Sequence, residues 1–396
     1  MTERTSMTTV PRAFDPDACY PSELEAWWLA EAARRMELTG TGAVLERLES
    51  VVAELSDGFT TSRKTGFGAY ARSPFAWLAY SLFFFPQTFM RLRWIVQEAA
   101  LRVGAAQGRP LDRPLRVLDL GAGTGAASAA WLTAWPRPAG LAVDLTAVDA
   151  SDTALALLKN LVHDNRALFG PVDLTVHCAD LRSETRRLPG EWDVVLISYA
   201  LNEAFHDCTD HEMRSWWKLL ADRLTPGGVL LVCEPLVLSG IPLMVRLREW
   251  ALEPDTGLQV LAPCLHQHAC PMADGATGWC HDVRRWRVAE SVQALNRHLF
   301  RSVHDLKYSF LALTRQPVTS EDDAGFARLV APMTMQNGRW SFVGCAADGC
   351  LRTFDVLQRG FDRQGRDAVE SLERGDVVRF KSPMLLGDGL TYRAGL

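Results

Sequence analysis

The sequence predicts an α/β protein built on a doubly wound, mainly parallel sheet, and three observations carry that prediction. From Pro114 onward, short apolar runs alternate with stretches of helical periodicity, the pattern of strands joined by crossover helices. Gly121, Gly123 and Gly125 stand directly after the first run and before a helical stretch, where such sheets make a tight turn. The first 110 residues carry helical periodicity alone, so the sheet begins late.

Residues 1–110 read as a helical cap. Ser22-Glu-Leu-Glu25 has capping-box spacing ahead of an amphipathic stretch to about Met36. Val44, Leu45, Leu48, Val51, Val52 and Leu55 recur at helical spacing. The apolar run Phe75–Phe85 is closed by Pro86 and falls short of the ~20 residues that span a bilayer, so it predicts a buried helix. Arg91 to Val103 continues the helical pattern. The polar N-terminus lacks the apolar core of a secretory signal, and the expected location is cytoplasmic.

Residues 111–318 are expected to form the main domain. Its strands are Leu115–Leu120, Leu145–Val148, Leu174–His177, Val194–Ser198 and Val229–Cys233, and Tyr308–Thr314 returns to the sheet. Its helices are Ala126–Trp135, Ser151–Leu168 and His211–Leu224, with Thr225-Pro-Gly-Gly228 as the turn into the fifth strand. A segment at about 254–290, rich in Cys, His, Trp and Gly, has little periodicity and reads as an insertion. Residues 319–396 are expected to form a small β-rich module, in which Ala346-Ala-Asp-Gly-Cys350 turns a hairpin between Trp340–Cys345 and Leu351–Leu357. Gly375–Phe380 adds a strand.

The net charge of −5 gives no general attraction to a phosphate backbone. Residues 281–396 hold 17 Lys and Arg against 14 Asp and Glu, so the acidic excess lies in front of them. A nucleic-acid partner is permitted and not signalled.

The loop Val117-Leu-Asp-Leu-Gly-Ala-Gly-Thr-Gly125 lets backbone approach a ligand without an intervening Cβ. Glycine loops alone also serve dinucleotides, the competing assignment. Here Asp119 precedes the first glycine by two positions, Asp149 ends the second strand, and Ala179-Asp180-Leu181 ends the third. In that order and spacing, residues 115–235 resemble the Rossmann-like class I methyltransferases. The resemblance implies an S-adenosylmethionine site from Asp119, Gly121, Gly123, Gly125, Asp149, Asp180, Leu181 and Tyr199, with Asp149 on the ribose and Asp180 toward the adenine. The fourth strand ends in Ser198-Tyr-Ala-Leu-Asn-Glu-Ala-Phe-His206, where Glu203 or His206 can remove a proton from an acceptor; the alternative is a capping Glu203 and a surface His206. The Asn-Pro-Pro-Tyr type motif of amino-directed nucleic-acid methyltransferases is absent.

Cys264, Cys270 and Cys280 lie in a Pro- and Gly-bearing stretch, like ligands on a segment with little structure of its own. Four thiolates complete a zinc site or an iron–sulfur cluster; Cys345 and Cys350 are the candidates for the fourth, and His266, His268 or His281 can replace a thiolate on zinc. Cys19, Cys178, Cys208 and Cys233 read as ordinary core or surface thiols.

Ala262-Pro-Cys264, Ala269-Cys-Pro271, Trp279-Cys-His281, Tyr308-Ser-Phe310, and Cys345 followed by Asp348-Gly349 resemble the small-ribosomal-subunit methyltransferase-like family, as do Ala69, Tyr70, Arg72 and Pro74 upstream. The resemblance implies a [4Fe–4S] cluster on Cys264, Cys270, Cys280 and Cys345, with Zn2+ as the alternative, and association with small-subunit ribosomal RNA. Two other functions compete: a biosynthetic enzyme with a small-molecule acceptor in an apolar pocket lined by tryptophans such as Trp27, Trp28, Trp77 and Trp94, and a non-catalytic assembly factor.

Overall fold

The computed structural model describes residues 18–61, 73–103, 113–235, 241–273, 280–297, 299–318, 325–388 and 391–395. Ala69, Tyr70, Arg72 and Trp279 lie outside these residues.

The cap comprises α1 (Ser22–Met36), α2 (Thr41–Thr61) and α3 (Ala76–Val103). The expected capping box at Ser22 does not form: Pro21 is the N-cap, and the Glu25 carboxylate instead accepts from Ser291 N–H at 2.7 Å and Ser291 Oγ at 2.6 Å. Pro86 does not close the apolar run, because α3 runs through it for 28 residues. An interior proline removes the N–H that would bond the carbonyl of residue 82 and costs about 3 kcal/mol in an isolated helix. Here Gln87 Nε2 donates to the Phe83 carbonyl at 2.7 Å, while the Ser291 hydroxyl, whose one proton goes to Glu25, lies 3.3 Å from the Leu82 carbonyl. The long helix persists because most of its length, Pro86 included, is buried in the core, and that packing outweighs the lost bond.

Eight strands form the main sheet: β1 (Leu115–Leu120), β2 (Val143–Asp149), β3 (Val172–Cys178), β4 (Trp192–Ser198), β5 (Leu224–Pro235), β6 (Gln259–Ala262), β7 (Asp282–Arg285) and β8 (Asp305–Thr314). Their order is β3-β2-β1-β4-β5-β8-β6, with β7 also on β8. β1 to β5 pair in parallel, while β8 is antiparallel to β5, β6 and β7, so the sheet is mixed. Both faces are covered. Val194 and Leu196 pack toward the cap, Val195 and Ile197 toward the opposite core, as a strand buried on both sides requires.

The connecting helices are α4 (Ala126–Ala134), α5 (Asp152–Asp164), α6 (Arg166–Phe169), α7 (Leu181–Arg187), α8 (Leu201–Ala204), α9 (Asp210–Asp222), α10 (Ile241–Ala251) and α11 (Glu290–Leu295). The single helix expected over Ser151–Leu168 breaks at Asn165, whose Nδ2 donates to the Leu161 carbonyl at 2.9 Å and competes with helix propagation. Thr225-Pro-Gly-Gly228 is not a turn before β5 but part of it, at a register shift against β4. The segment 254–290, expected to have little regular structure, supplies β6 and β7. Those two strands share one edge of β8, and the cysteine-bearing stretch leaves the sheet between them.

A second sheet has seven strands: β9 (Phe326–Leu329), β10 (Thr334–Gln336), β11 (Arg339–Ala346), β12 (Leu351–Leu357), β13 (Val377–Arg379), β14 (Lys381–Leu385) and β15 (Thr391–Gly395), with α12 (Arg363–Glu370) between β12 and β13. β11 alternates buried and half-buried positions along its whole length and pairs with β12 across the Asp348-Gly349 turn. Trp340, Phe342, Phe354, Val356 and Phe380 fill its core.

A buried ionic network joins cap and sheets. Arg328 of β9 bonds Glu98 of α3 at 2.6 Å and Asp282 of β7 at 2.7 Å. Asp282 also meets Arg284 at 3.3 Å, and Arg284 meets Asp376 at 2.6 Å. Among the described residues, no helix is long and apolar enough to cross a membrane.

Candidate active site

A cavity of about 920 Å³ opens at the carboxyl ends of β1, β2 and β4, where the order of an open α/β sheet reverses and ligands bind. Gly121, Gly123, Asp149, Asp180, Leu181, Tyr199 and Glu203 line it, together with residues of the cap.

The glycine loop is shaped by its packing. Gly121 has φ +75°, and a Cβ there would run into the Ala200 side chain. Gly125 has φ +92°, and a Cβ there would run into Leu158 of α5. Gly125 therefore serves helix–helix contact and lies outside the cavity lining. Asp149 closes the loop from below: its carboxylate accepts from Gly123 N–H and Ser151 N–H, each at 2.8 Å. Burial raises its pKa, and these two backbone bonds oppose the rise. Asp180 caps α7 by accepting from Arg182 N–H and Ser183 N–H, each at 3.0 Å, and still faces the cavity.

Asp119 stands apart from the other acids assigned to the cofactor. It is fully buried beneath the loop, accepts from Ser128 N–H at 3.1 Å and Ser128 Oγ at 2.5 Å, and does not line the cavity. Burial pushes its pKa up to about 7, against the two Ser128 bonds. A carboxyl that protonates more readily folded than unfolded stabilises the fold most at low pH. That contribution is lost as pH rises between its unfolded value, near 4, and about 7. Urea unfolding of the wild type is expected to show stability falling across this window, by up to about 4 kcal/mol. Asp119→Asn, which keeps an oxygen for Ser128, is expected to flatten the slope; an unchanged slope in that variant would assign it to other groups.

At the end of β4, Tyr199 adopts a left-handed φ of 62°. Such a conformation in a non-glycine residue stores about 1–3 kcal/mol and recurs where backbone is shaped for function. Its N–H donates to the Cys233 carbonyl at 2.9 Å, which holds the bend. Ser198 Oγ beside it lines the cavity and is buried with no hydrogen-bond partner among the described residues. Glu203 reaches the cavity from α8, whereas His206 turns away: its Nδ1 sits 2.8 Å from the Glu203 carbonyl and the ring lies outside the lining. Of the two proton acceptors expected from sequence, Glu203 lines the cavity and His206 does not.

The cap supplies the remaining wall. Trp77, Tyr80, Phe84, Gln87, Thr88 and Arg91 recur at helical spacing on α3 and all face the cavity. Tyr80 lies between the two sides of the site. Burial pushes its phenol up to about 12, with Glu203 the next contributor and Asp149 a smaller one. Sequence reasoning missed Tyr80, Arg91, Asn202, Glu234 and Lys307, although the switch from aromatic to polar residues along one face of α3 was a usable signal. Of the tryptophans weighed for a pocket, Trp77 lines it, Trp28 and Trp94 are buried in the core, and Trp27 donates to Asp164 at 3.0 Å.

Cys264, Cys270 and Cys280 border a separate cavity of about 50 Å³ with Arg248 and Asp282. Arg248 Nε donates to Cys264 Sγ at 3.2 Å, and His266 Nε2 lies 3.4 Å from Cys345 Sγ. Burial pushes the Cys345 thiol up to about 12, with Cys264 and Cys270 adding to the rise. Burial also raises Cys280, with Cys264 adding next. The four sulfurs thus share one electrostatic neighbourhood, while Cys350 is exposed at the hairpin. Among the described residues, no three His, Cys, Asp or Glu side chains converge closely enough to hold a metal ion. Cys19 and Cys178 are exposed, and Cys233 is buried.

The sheet order, its antiparallel β8 and the cavity at the strand ends define a fold similar to the class I S-adenosylmethionine-dependent methyltransferases. The family described as "Mitochondrial small ribosomal subunit Rsm22" matches residues 74–380, and the chain belongs to it. No curated protein matches the chain. Among solved structures, it is similar to a magnesium protoporphyrin IX methyltransferase from Synechocystis PCC 6803 with bound S-adenosylmethionine, at 14% identity over 67% of this chain and 97% of that one, TM-score 0.34. It is also similar to an rRNA methylase from Streptococcus thermophilus, at 12% identity over 56% of this chain and 95% of that one, TM-score 0.30. A precorrin-6y C5,15-methyltransferase from Geobacter metallireducens matches at 14% identity over 57% and 89%, TM-score 0.34. Likenesses this distant assign no reaction.

Proposed function

We propose that the chain binds S-adenosylmethionine at the strand ends and methylates RNA of the small ribosomal subunit. The observation that carries this is the cavity, which joins the glycine loop and Asp149 to an aromatic and polar wall in a member of a small-subunit family. The residues fit the cofactor. Gly121 and Gly123 leave the backbone bare, Asp149 and Asp180 present carboxylates, and Ser198 Oγ is a buried donor without a partner among the described residues. When bound, the cofactor supplies an electrophilic methyl group on sulfur. The protein's own part is to hold the acceptor against the aromatic wall, exclude water, and take up a proton at the Glu203 carboxylate.

The cysteines suit a structural [4Fe–4S] cluster or zinc in donor chemistry, because four thiolates serve either group and Arg248 already donates to Cys264 Sγ. Their geometry is not that of a formed ligand set, so no reaction step is assigned to them. A small-molecule acceptor is the second reading, favoured by the clustered Phe59, Trp77, Tyr80 and Phe84 rings.

Calorimetry with S-adenosylhomocysteine and co-sedimentation with isolated small subunits test the proposal. Binding to both is expected; failure to bind the nucleoside removes the cofactor site, and failure to sediment favours the small-molecule reading. Anaerobic purification should give about four iron and four sulfide per chain. Cys345→Ser is expected to lose them and Cys350→Ser to keep them. Stoichiometric zinc without sulfide would replace the cluster with the other metal.

A further inference from the structure

Glu234 ends β5 and is fully buried, an unusual place for a carboxylate. Its Oε1 accepts from Leu201 N–H at 3.0 Å, and its Oε2 accepts from Asn202 Nδ2 at 2.7 Å. The Asn202 amide turns its NH2 toward Glu234, the orientation an acceptor-only carboxylate selects. Asn202 also lines the cavity, beside Tyr199 and Glu203 and across from Tyr80 on α3. Its Oδ1 is therefore the end left for a ligand. The pair fixes one acceptor oxygen at the mouth of β4, on backbone already bent at Tyr199.

We propose that Asn202 Oδ1 receives an N–H of the methyl-accepting group, that this group is an amine on a planar base, and that Glu234 is the positioning residue that sets the polarity. The inference rests on the methyltransferase reading above and names the acceptor atom within it. A hydroxyl that donates its single proton to Asn202 Oδ1 no longer offers that proton to Glu203, whereas an amine has two: one N–H anchors it on Asn202 while the other proton is free to leave and the lone pair points along the line of transfer. Trp77, Tyr80 and Phe84 supply ring faces against which such a base stacks. The nitrogen lone pair forms the N–CH3 bond as the C–S bond of the sulfonium breaks, its electrons passing to sulfur to leave the thioether. The surplus proton on nitrogen goes to the Glu203 carboxylate and then to water.

The experiment exploits polarity. Glu234→Gln keeps the bonds to Leu201 and Asn202 if the Asn202 amide flips, since Gln can accept from Leu201 N–H and donate to Asn202 Oδ1. The flip turns NH2 toward the cavity, where a donor now meets a donor. Full-length protein is incubated with tritiated S-adenosylmethionine and RNA from small subunits of cells lacking the protein, and the labelled nucleoside is identified after digestion. Wild type is expected to label a base nitrogen. Glu234→Gln is expected to lose at least about tenfold in kcat, with thermal midpoint and S-adenosylhomocysteine affinity unchanged. Asn202→Asp with Glu234→Gln restores an acceptor oxygen held by an NH2 donor and is expected to recover transfer to within about threefold. Label on ribose oxygen or ring carbon, or a double variant no better than Glu234→Gln, overturns the inference. A wild type that binds S-adenosylhomocysteine and delivers no methyl also overturns it while leaving the cofactor site intact. A wild type that binds no cofactor fails at the earlier reading instead.

Discussion

Replacing Arg328 by alanine is expected to cost about 3–5 kcal/mol of folding stability, the range for removing one partner of a buried ion pair. The guanidinium is 3% exposed and bonds Glu98 and Asp282, and of the two carboxylates Asp282 also meets Arg284, at the longer distance of 3.3 Å. Its removal leaves two carboxylates in a site that excludes water. Because Glu98 is on α3, Asp282 on β7 and Arg328 on β9, the loss falls on the junction of cap, main sheet and second sheet. Gly375 packs so closely on the Asp282 carboxylate that a Cβ there would overlap it, so Asp282 has little room to turn toward solvent. Limited proteolysis of Arg328→Ala should release the segment beyond about residue 319 well before the main sheet is cut. Urea unfolding within about 1 kcal/mol of wild type would mean that water or a rearranged Arg284 takes over the role.

Much of the main sheet was legible because the parallel core strands are short, apolar and punctuated by glycine. β1 was found to the residue, and β2, β3 and β4 were placed with ends one or two residues short. What misled was tertiary satisfaction of local faults. Pro86 is a helix breaker by its own chemistry, and burial of the helix around it in the core outweighs that tendency. Ser22 and Glu25 have a capping spacing, but Glu25 finds a stronger partner across the fold. β6 and β7 were invisible as strands because each is four residues long and broken from the other by the cysteine stretch.

The site divided along the same line. Gly121, Gly123, Asp149 and Asp180 line the cavity, and each was legible as a candidate because it sits at or just past the carboxyl end of one of the first three strands. Glu234 and Asn202 were not, because a buried carboxylate at a strand end has no sequence signature until its partner is seen. His206 shows the opposite case: a residue of suitable chemistry that lies in the turn past Ala204, against the Glu203 carbonyl and outside the cavity lining, as the surface alternative had it.

Asp149→Ala is expected to weaken S-adenosylhomocysteine binding by about 100-fold or more. The carboxylate lies at the end of β2 in the cavity wall and is anchored by Gly123 N–H and Ser151 N–H at 2.8 Å, so it is held rigidly before any ligand arrives. A carboxylate so placed can accept from two ribose hydroxyls. Hydrogen bonds to charged groups contribute about 1.5–3 kcal/mol each, and losing two removes at least about 3 kcal/mol, or roughly two decades of affinity. Asp149→Asn separates charge from geometry. Its one amide oxygen can accept from Gly123 or from a hydroxyl but cannot reproduce both anchors, so an intermediate loss is expected. Alanine also frees the two backbone donors, so the loop should loosen and the thermal midpoint fall by a few degrees. Glycine-loop disorder alone would weaken binding of every ligand fragment equally. The ribose contact predicts instead that adenine itself, which carries no hydroxyls, binds wild type and Asp149→Ala with similar affinity. Calorimetry with both ligands decides between the two, and a change of less than threefold for S-adenosylhomocysteine would remove Asp149 from the cofactor site.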